Sequence, residues 1–270
     1  MPWCARAVDP SMPFTPTHVL AVLPVAAVKR LPLPFSALMI GSVVPDYPLF
    51  VSPPPDYGTT HSVPGVLTAC LPLGVAGFLL FQAVMKRPLF ALLPAAIRRR
   101  CAPLSRPRVE PTPRFFLRAG LAVVIGASTH LFWDSFTHQG RWGTSAFPQL
   151  NRTALTIGGH PVPGFKALQY GSTLIGLPCL GLLLAAWLVR RRPEPLSGTP
   201  TLPAPFKAVA YAVLSAAPAA ATWRVWGRDG LSRYDRLGQS ITASGLALAA
   251  VVLAYCLVFQ AVEKRIVREG

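Results

Sequence analysis

Acidic residues are scarce in this chain: 10 Asp and Glu stand against 26 Lys and Arg in 270 residues, and charged residues of all kinds reach only 13%. A soluble domain carries about 25%. With 52% hydrophobic residues and a mean hydropathy of +0.44, the shortfall argues against an ordinary soluble globule. Cysteine patterning is missing as well. Cys4, Cys70, Cys101, Cys179 and Cys256 form no C-x-x-C pair, and three of them lie in or beside apolar runs. They read as small core hydrophobes, not as a disulfide frame or a zinc site. There is no G-x4-G-K-[ST] phosphate loop and no G-x-S-x-G elbow, so neither nucleotide binding nor covalent Ser or Cys catalysis has a motif behind it. The opening "MPWCARAVDPS" lacks an apolar h-region and is no signal peptide. Translation is expected to start at Met12, with residues 1–11 a disordered extension.

What the chain does have is long apolar runs. Seven can be marked, near 17–29, 35–50, 64–85, 115–135, 169–189, 206–223 and 240–261. A full span needs about 20 residues. The third, fourth, fifth and seventh meet that length, the sixth is a little short, and the first two suit a tilted or re-entrant pair buried against the others. The expected fold is all-α: a polytopic transmembrane bundle of six to seven helices, forming one domain from residue 12 to 270.

The net charge of +16 would suggest nucleic acid in a soluble protein. Here the basic residues gather at the ends of apolar runs, which makes them topology signals and contacts for anionic lipid, with no role for nucleic acid. Placing the segment 86–114 in the cytoplasm puts 18 of the 26 Lys and Arg on one side. The cluster at 224–236 runs against the rule, partly offset by Asp229 and Asp235. The expected orientation is N-terminus outside and C-terminus cytoplasmic.

That orientation gathers a second set of residues. His18 opens the first segment, Asp46 closes the second in "GSVVPDYP", His61 opens the third in "TTHSVPG", and His130, Asp134 and His138 end the fourth in "GASTHLFWDSFTHQGRW". All fall at the outer level. On a helix, positions four apart share a face, so His130 and Asp134 can hold one ion or bridge two, while His138 is expected at or past the helix end, where "THQGRWG" carries loop residues. Imidazole and carboxylate are the usual ligands of catalytic zinc. Each histidine alone would pass as an interfacial residue, and His160 in "GGHPVPG" is read that way. The H-x3-D-x3-H run differs, because ionisable groups near lipid usually mark function.

The stretches "MPFTPTH", "ALMIGSVVPDYPLF", "THS" at 60–62 and "GASTHLFWDSFTH" together resemble a bacterial family of multi-spanning proteins defined as a domain of unknown function, over nearly the whole chain from Met12. That family looks related to inner-membrane metal-dependent hydrolases. The order His, G-[SA]-x-x-P-D, His, then H-x3-D followed after three or more residues by His, is distantly similar to the ligand order of zinc-dependent phospholipase C and related helical nucleases, which hold a cluster of metal ions. The resemblance implies metal ligands at His18, Asp46, His61, His130 and Asp134, with His138 a weaker match. The H-x3-E pair of the phospholipase pattern is missing, since Gly164 stands four after His160. One or two ions, zinc foremost, are therefore expected rather than three.

These readings combine into an expected activity. The chain is expected to be a metal-dependent hydrolase of the bacterial inner membrane, acting at the outer face on a phosphoester of a lipid or envelope precursor. Asp46 and Asp134 are the expected catalytic carboxylates. Arg141 and Arg152 suit a phosphate group, and Lys166, Gln169 and Ser172 suit a polar headgroup. Trp133, Trp142, Trp223 and Trp226 read as an interfacial belt. Two alternatives stand beside this: an ion relay in a transporter, which predicts ionisable residues at the membrane midplane, and an assembly protein with a structural metal.

Overall fold

The computed structural model describes residues 15–28, 30–51, 54–106, 109–196 and 201–269, leaving the expected extension at 1–11 outside the described residues. The described chain is almost wholly helical, as expected. Among these residues five helices are long and apolar enough to cross a membrane: Val63–Leu92 (α4), Pro113–Thr137 (α6), Gly164–Arg190 (α8), Ala204–Trp226 (α9) and, within Arg233–Glu269 (α10), the stretch Asp235–Glu263. We therefore read the chain as a membrane protein. The two early segments are short, as their length required. The first is Val19–Ala26 (α1), preceded by a 3-10 turn at Thr15–His18; the second is Phe35–Gly41 (α2), followed by a 3-10 turn at Val44–Leu49. Shorter helices lie at Tyr57–Thr60 (α3), Ala95–Cys101 (α5) and Trp142–Ala146 (α7).

Two local outcomes depart from the sequence reading. The third segment does not stop at its basic pair: α4 continues through Lys86 and Arg87 to Leu92. Lys86 donates to Gln82 Oε1 at 3.0 Å, and Arg87 pairs with Glu263 at 2.8 Å, so both charges are met from the helix flank. The second departure is a two-stranded antiparallel hairpin, Thr153–Ile157 (β1) and His160–Pro163 (β2), in a chain expected to be all-α. Its turn is Gly158-Gly159, with φ of +57° and +82°, conformations that glycine adopts without steric cost.

Contacts divide the chain into two compact units, one within residues 11–78 and 111–185, the other within 79–110 and 186–270. In the second unit α9 and α10 pair along their length. Thr222 and Ser244 hydroxyls meet at 2.8 Å, and Ser244 donates to the Pro218 carbonyl at 3.1 Å. Tyr255 donates to the carbonyl of Pro88 at 2.9 Å and Gln260 to that of Val84 at 3.1 Å, fastening α10 to the end of α4. Such bonds between spanning helices contribute about 0.6 kcal/mol each. Apolar residues such as Phe206, Val209 and Val258 point outward, a face suited to lipid.

The first unit is built around α6. Val44, Val66, Cys70 and Ala127 form its core, with Leu73, Val124 and Leu131 against them. α2 crosses α6 with backbones in near contact. A Cβ on Gly41 would sit 2.4 Å from the Val123 carbonyl oxygen, and one on Gly126 would sit 2.4 Å from that of Leu38. Small residues facing each other are what lets two helices approach this closely. The closeness carries the end of α2, and the turn holding Asp46, onto the face of α6 that bears His130 and Asp134.

Candidate metal centre

Four separate pieces of chain deliver ionisable side chains to one point in the first unit. His18 ends the 3-10 turn before α1, Asp46 lies in the turn after α2, His61 follows α3, and His130 and Asp134 stand one helical turn apart on α6. All five are buried, with exposures between 0% for His130 and 6% for His61. Local chemistry sets each in place. Asp56 caps α3 by accepting from the Thr59 N–H at 2.7 Å, and Ser62 caps α4 by accepting from the Gly65 N–H at 3.0 Å, which fixes the corner between them where His61 sits. Thr60 then donates to the Pro45 carbonyl at 2.7 Å, tying that corner to the residue beside Asp46.

The contacts inside the cluster form a ring. Asp46 Oδ1 lies 3.5 Å from His61 Nε2 and 3.5 Å from His130 Nε2. Asp134 Oδ2 lies 3.5 Å from His61 Nε2 and 3.4 Å from His130 Nε2. Nitrogen and oxygen alternate, and all four donor atoms fall within 4.8 Å of one another. These separations are too long for charge-assisted hydrogen bonds, which run about 2.7–2.9 Å. They match the spacing of two donors on one tetrahedral ion: bonds of about 2.0–2.1 Å place neighbouring donors roughly 3.4 Å apart.

Second contacts choose which imidazole nitrogen faces the ring. His130 Nδ1 lies 2.8 Å from the Ser42 carbonyl and His61 Nδ1 lies 3.1 Å from that of Tyr57. Each carbonyl accepts the Nδ1 proton, leaving the Nε2 lone pair turned inward, the arrangement in which histidine binds metal. His61 Nε2, His130 Nε2 and Asp134 Oδ1 are buried with no hydrogen-bond partner among the described residues, and the same holds for both nitrogens of His18. A buried polar atom without a partner costs about 1–3 kcal/mol. Two buried carboxylates also bring a charge of −2 if the imidazoles are neutral, and a divalent cation would cancel it. Donor chemistry, spacing and missing partners all fit a divalent metal.

His18 stands just outside the ring of four. Its ring stacks on that of His130 with centroids 3.8 Å apart, and its Nε2 lies 3.5 Å from Asp134 Oδ1, the oxygen the other histidines do not face. Burial first, then the neighbouring His130, pulls its pKa down from 6.5 to about 4, so it stays neutral and able to act as a ligand. For Asp46, burial acts to raise the pKa, but His130 and His61 outweigh it and hold the carboxyl well below its ordinary value.

The remaining expected site residues divide. His138 caps the C-terminus of α6 at the edge of the cluster, with Nδ1 3.6 Å from Asp134 Oδ2 and Nε2 3.4 Å from Gln169 Nε2. Gln169 is 1% exposed, and its Oε1 has no hydrogen-bond partner among the described residues. Arg141 reaches the cluster's edge, donating to the His61 carbonyl at 3.1 Å. Ser172 instead accepts from Trp133 Nε1 at 3.1 Å. Lys166 is half-buried in the first turn of α8, and Arg152 is exposed at the start of the hairpin. Sequence reasoning passed over Tyr57. Its ring stacks on His61 with centroids 3.7 Å apart, and its hydroxyl is buried with no hydrogen-bond partner among the described residues. Burial, then the charges of Asp134 and Asp46, raise its pKa far above the ordinary tyrosine value, so the hydroxyl keeps its proton. The one local hint was its place four residues before a histidine.

The model of the family described as a domain of unknown function, DUF4184, matches residues 12–264. The chain belongs to the DUF4184 family. The match takes in every residue of the cluster and most of both compact units. No curated protein and no solved structure matches the chain.

Proposed function

We propose that this DUF4184 chain is a membrane-embedded, metal-dependent hydrolase that cleaves a phosphoester of a lipid or envelope precursor at the outer face of the bacterial inner membrane. The observation that carries the reading is the ring of Asp46, His61, His130 and Asp134, whose four nitrogen–oxygen contacts are 3.4–3.5 Å, longer than charge-assisted hydrogen bonds and close to the spacing of donors on one ion. These four residues would hold the ion, with His18 and the second oxygen of Asp134 offering room for another beside it. Two imidazoles and two carboxylates suit zinc. A divalent ion bound there would supply a Lewis acid for a phosphoryl oxygen and a source of hydroxide near neutral pH. The chain's own part is to hold that charge in a dry pocket and to bring Arg141 to its edge, where a guanidinium can orient a phosphate. The basic ends of the apolar runs support the outer-face placement through the positive-inside rule.

Depth of burial favours a second reading, because closed sites are typical of structural metals. In that case the chain is a non-catalytic membrane protein, in transport or assembly, with a metal that only holds α1, α2, α3 and α6 together. Phosphodiesterase assays on phospholipid substrates separate the two. Turnover that disappears on metal stripping and returns on zinc addition supports the hydrolase; a metal-loaded, folded protein with no turnover on any phosphoester supports the structural site.

A further inference from the structure

The Tyr57 hydroxyl has no evident job in holding the fold. Its oxygen is buried and no described residue bonds to it, although buried hydroxyls nearly always find a partner. Its ring is held on the imidazole of His61, with centroids 3.7 Å apart, and the Arg141 guanidinium carbon lies over the ring, 5.9 Å from its centroid. Arg141 is anchored in turn, with Nη1 donating to the His61 carbonyl at 3.1 Å. A neutral hydroxyl donor and a fixed cation are therefore both mounted on His61, one of the four ring residues. A donor that is positioned but unpartnered beside two carboxylates is suited to a ligand that accepts hydrogen bonds, carries negative charge and reaches the centre from outside. A tetrahedral phosphate group has those properties: one oxygen can face the ring while others accept from a phenol and a guanidinium.

We propose that Tyr57, with Arg141 behind it, is the oxyanion-reading side of this centre, its hydroxyl donating to an oxygen of a phosphate group, either inorganic phosphate or a phospholipid headgroup. The proposal rests on the metal reading above and extends it to the class of ligand.

The test uses detergent-purified full-length protein loaded with cobalt(II), whose visible spectrum reports both the ion and any ligand reaching it. Inorganic phosphate is titrated into the wild type, Tyr57→Phe and Arg141→Gln, and short-chain phosphatidylglycerol is titrated in parallel. Tyr57→Phe keeps the stacking ring and removes only the oxygen, so cobalt content should be unchanged while phosphate affinity drops tenfold or more, the worth of one hydrogen bond to a charged acceptor. Arg141→Gln should also weaken phosphate. An effect seen with both ligands supports the site for phosphate in general, and one seen only with the lipid supports a headgroup site. Equal affinity in the wild type and Tyr57→Phe, or no spectral response to either ligand in cobalt-loaded wild type, overturns the inference while leaving the metal centre standing. A wild-type spectrum empty of cobalt before any phosphate is added overturns the metal reading, and this inference with it.

Discussion

His130 Nδ1 lies 2.8 Å from the carbonyl oxygen of Ser42, 88 residues earlier in the chain. That bond turns the His130 Nε2 toward Asp46 and Asp134, and it forms only because α2 and α6 touch at Gly41 and Gly126.

Gly126→Ala tests this dependence. The added methyl would lie 2.4 Å from the Leu38 carbonyl oxygen and 2.7 Å from the Ser42 nitrogen, so backbone must move. Overpacking of this kind costs about 1–3 kcal/mol. The expected result is a lower thermal midpoint in detergent together with lost metal. Gly120→Ala on the same helix is the control, since its nearest neighbour is the flexible end of Leu71 at 3.3 Å. It should keep its metal and unfold near the wild-type temperature.

Thr60→Val removes the 2.7 Å bond to the Pro45 carbonyl while keeping the shape of the side chain. Thr60 is not itself in the ring of four, but its hydroxyl also lies 3.2 Å from His61 Nδ1, so the change acts on the setting of one of them. Loss of an outer contact of this kind typically costs 10–100-fold in metal affinity. Competition with a chelator should show a loss in that range, with secondary structure by circular dichroism unchanged.

The spans were legible in the sequence because lipid demands unbroken apolar runs, and the candidate cluster because histidine and aspartate at the ends of such runs need a reason to be there. The hairpin was legible in principle: "TALTIGGHPVP" carries the Gly-Gly that a two-residue turn uses, and the apolar runs on either side drew attention away from it. Its pairing of Ile157 with His160 places His160 beside the turn, where its side chain is exposed. The extension of α4 past Lys86 was hidden because its partner, Glu263 for Arg87, lies far along the chain. Tyr57 and the Ser42 carbonyl were hidden for the same reason. Their roles exist only once distant segments meet.

Acid should expose His18. Its pKa is about 6.5 in an unfolded chain and about 4 in the folded protein, where it is surrounded by His130, Asp134, Asp46 and His138. Between those values the unfolded state binds a proton that the folded state refuses. Stability of the metal-free protein from this group is therefore full above about pH 6.5 and falls as pH drops toward 4, by about 1.4 kcal/mol per pH unit. Asp46, held below its ordinary value, adds loss of the same sign at lower pH. His18→Asn should flatten the pH dependence of unfolding between pH 6.5 and 4 relative to wild type, measured by denaturation in detergent. An identical slope in both proteins would remove His18 from the account.

The central claim is that Asp46, His61, His130 and Asp134 share a cation, and elemental analysis of the purified protein tests it most directly. Wild-type protein, dialysed against buffer with trace zinc and free of affinity tags that bind metal, should carry at least one divalent ion per chain. His130→Ala and Asp134→Ala should each carry none while remaining helical. A folded wild type without bound metal, or both variants retaining it in full, would contradict the account.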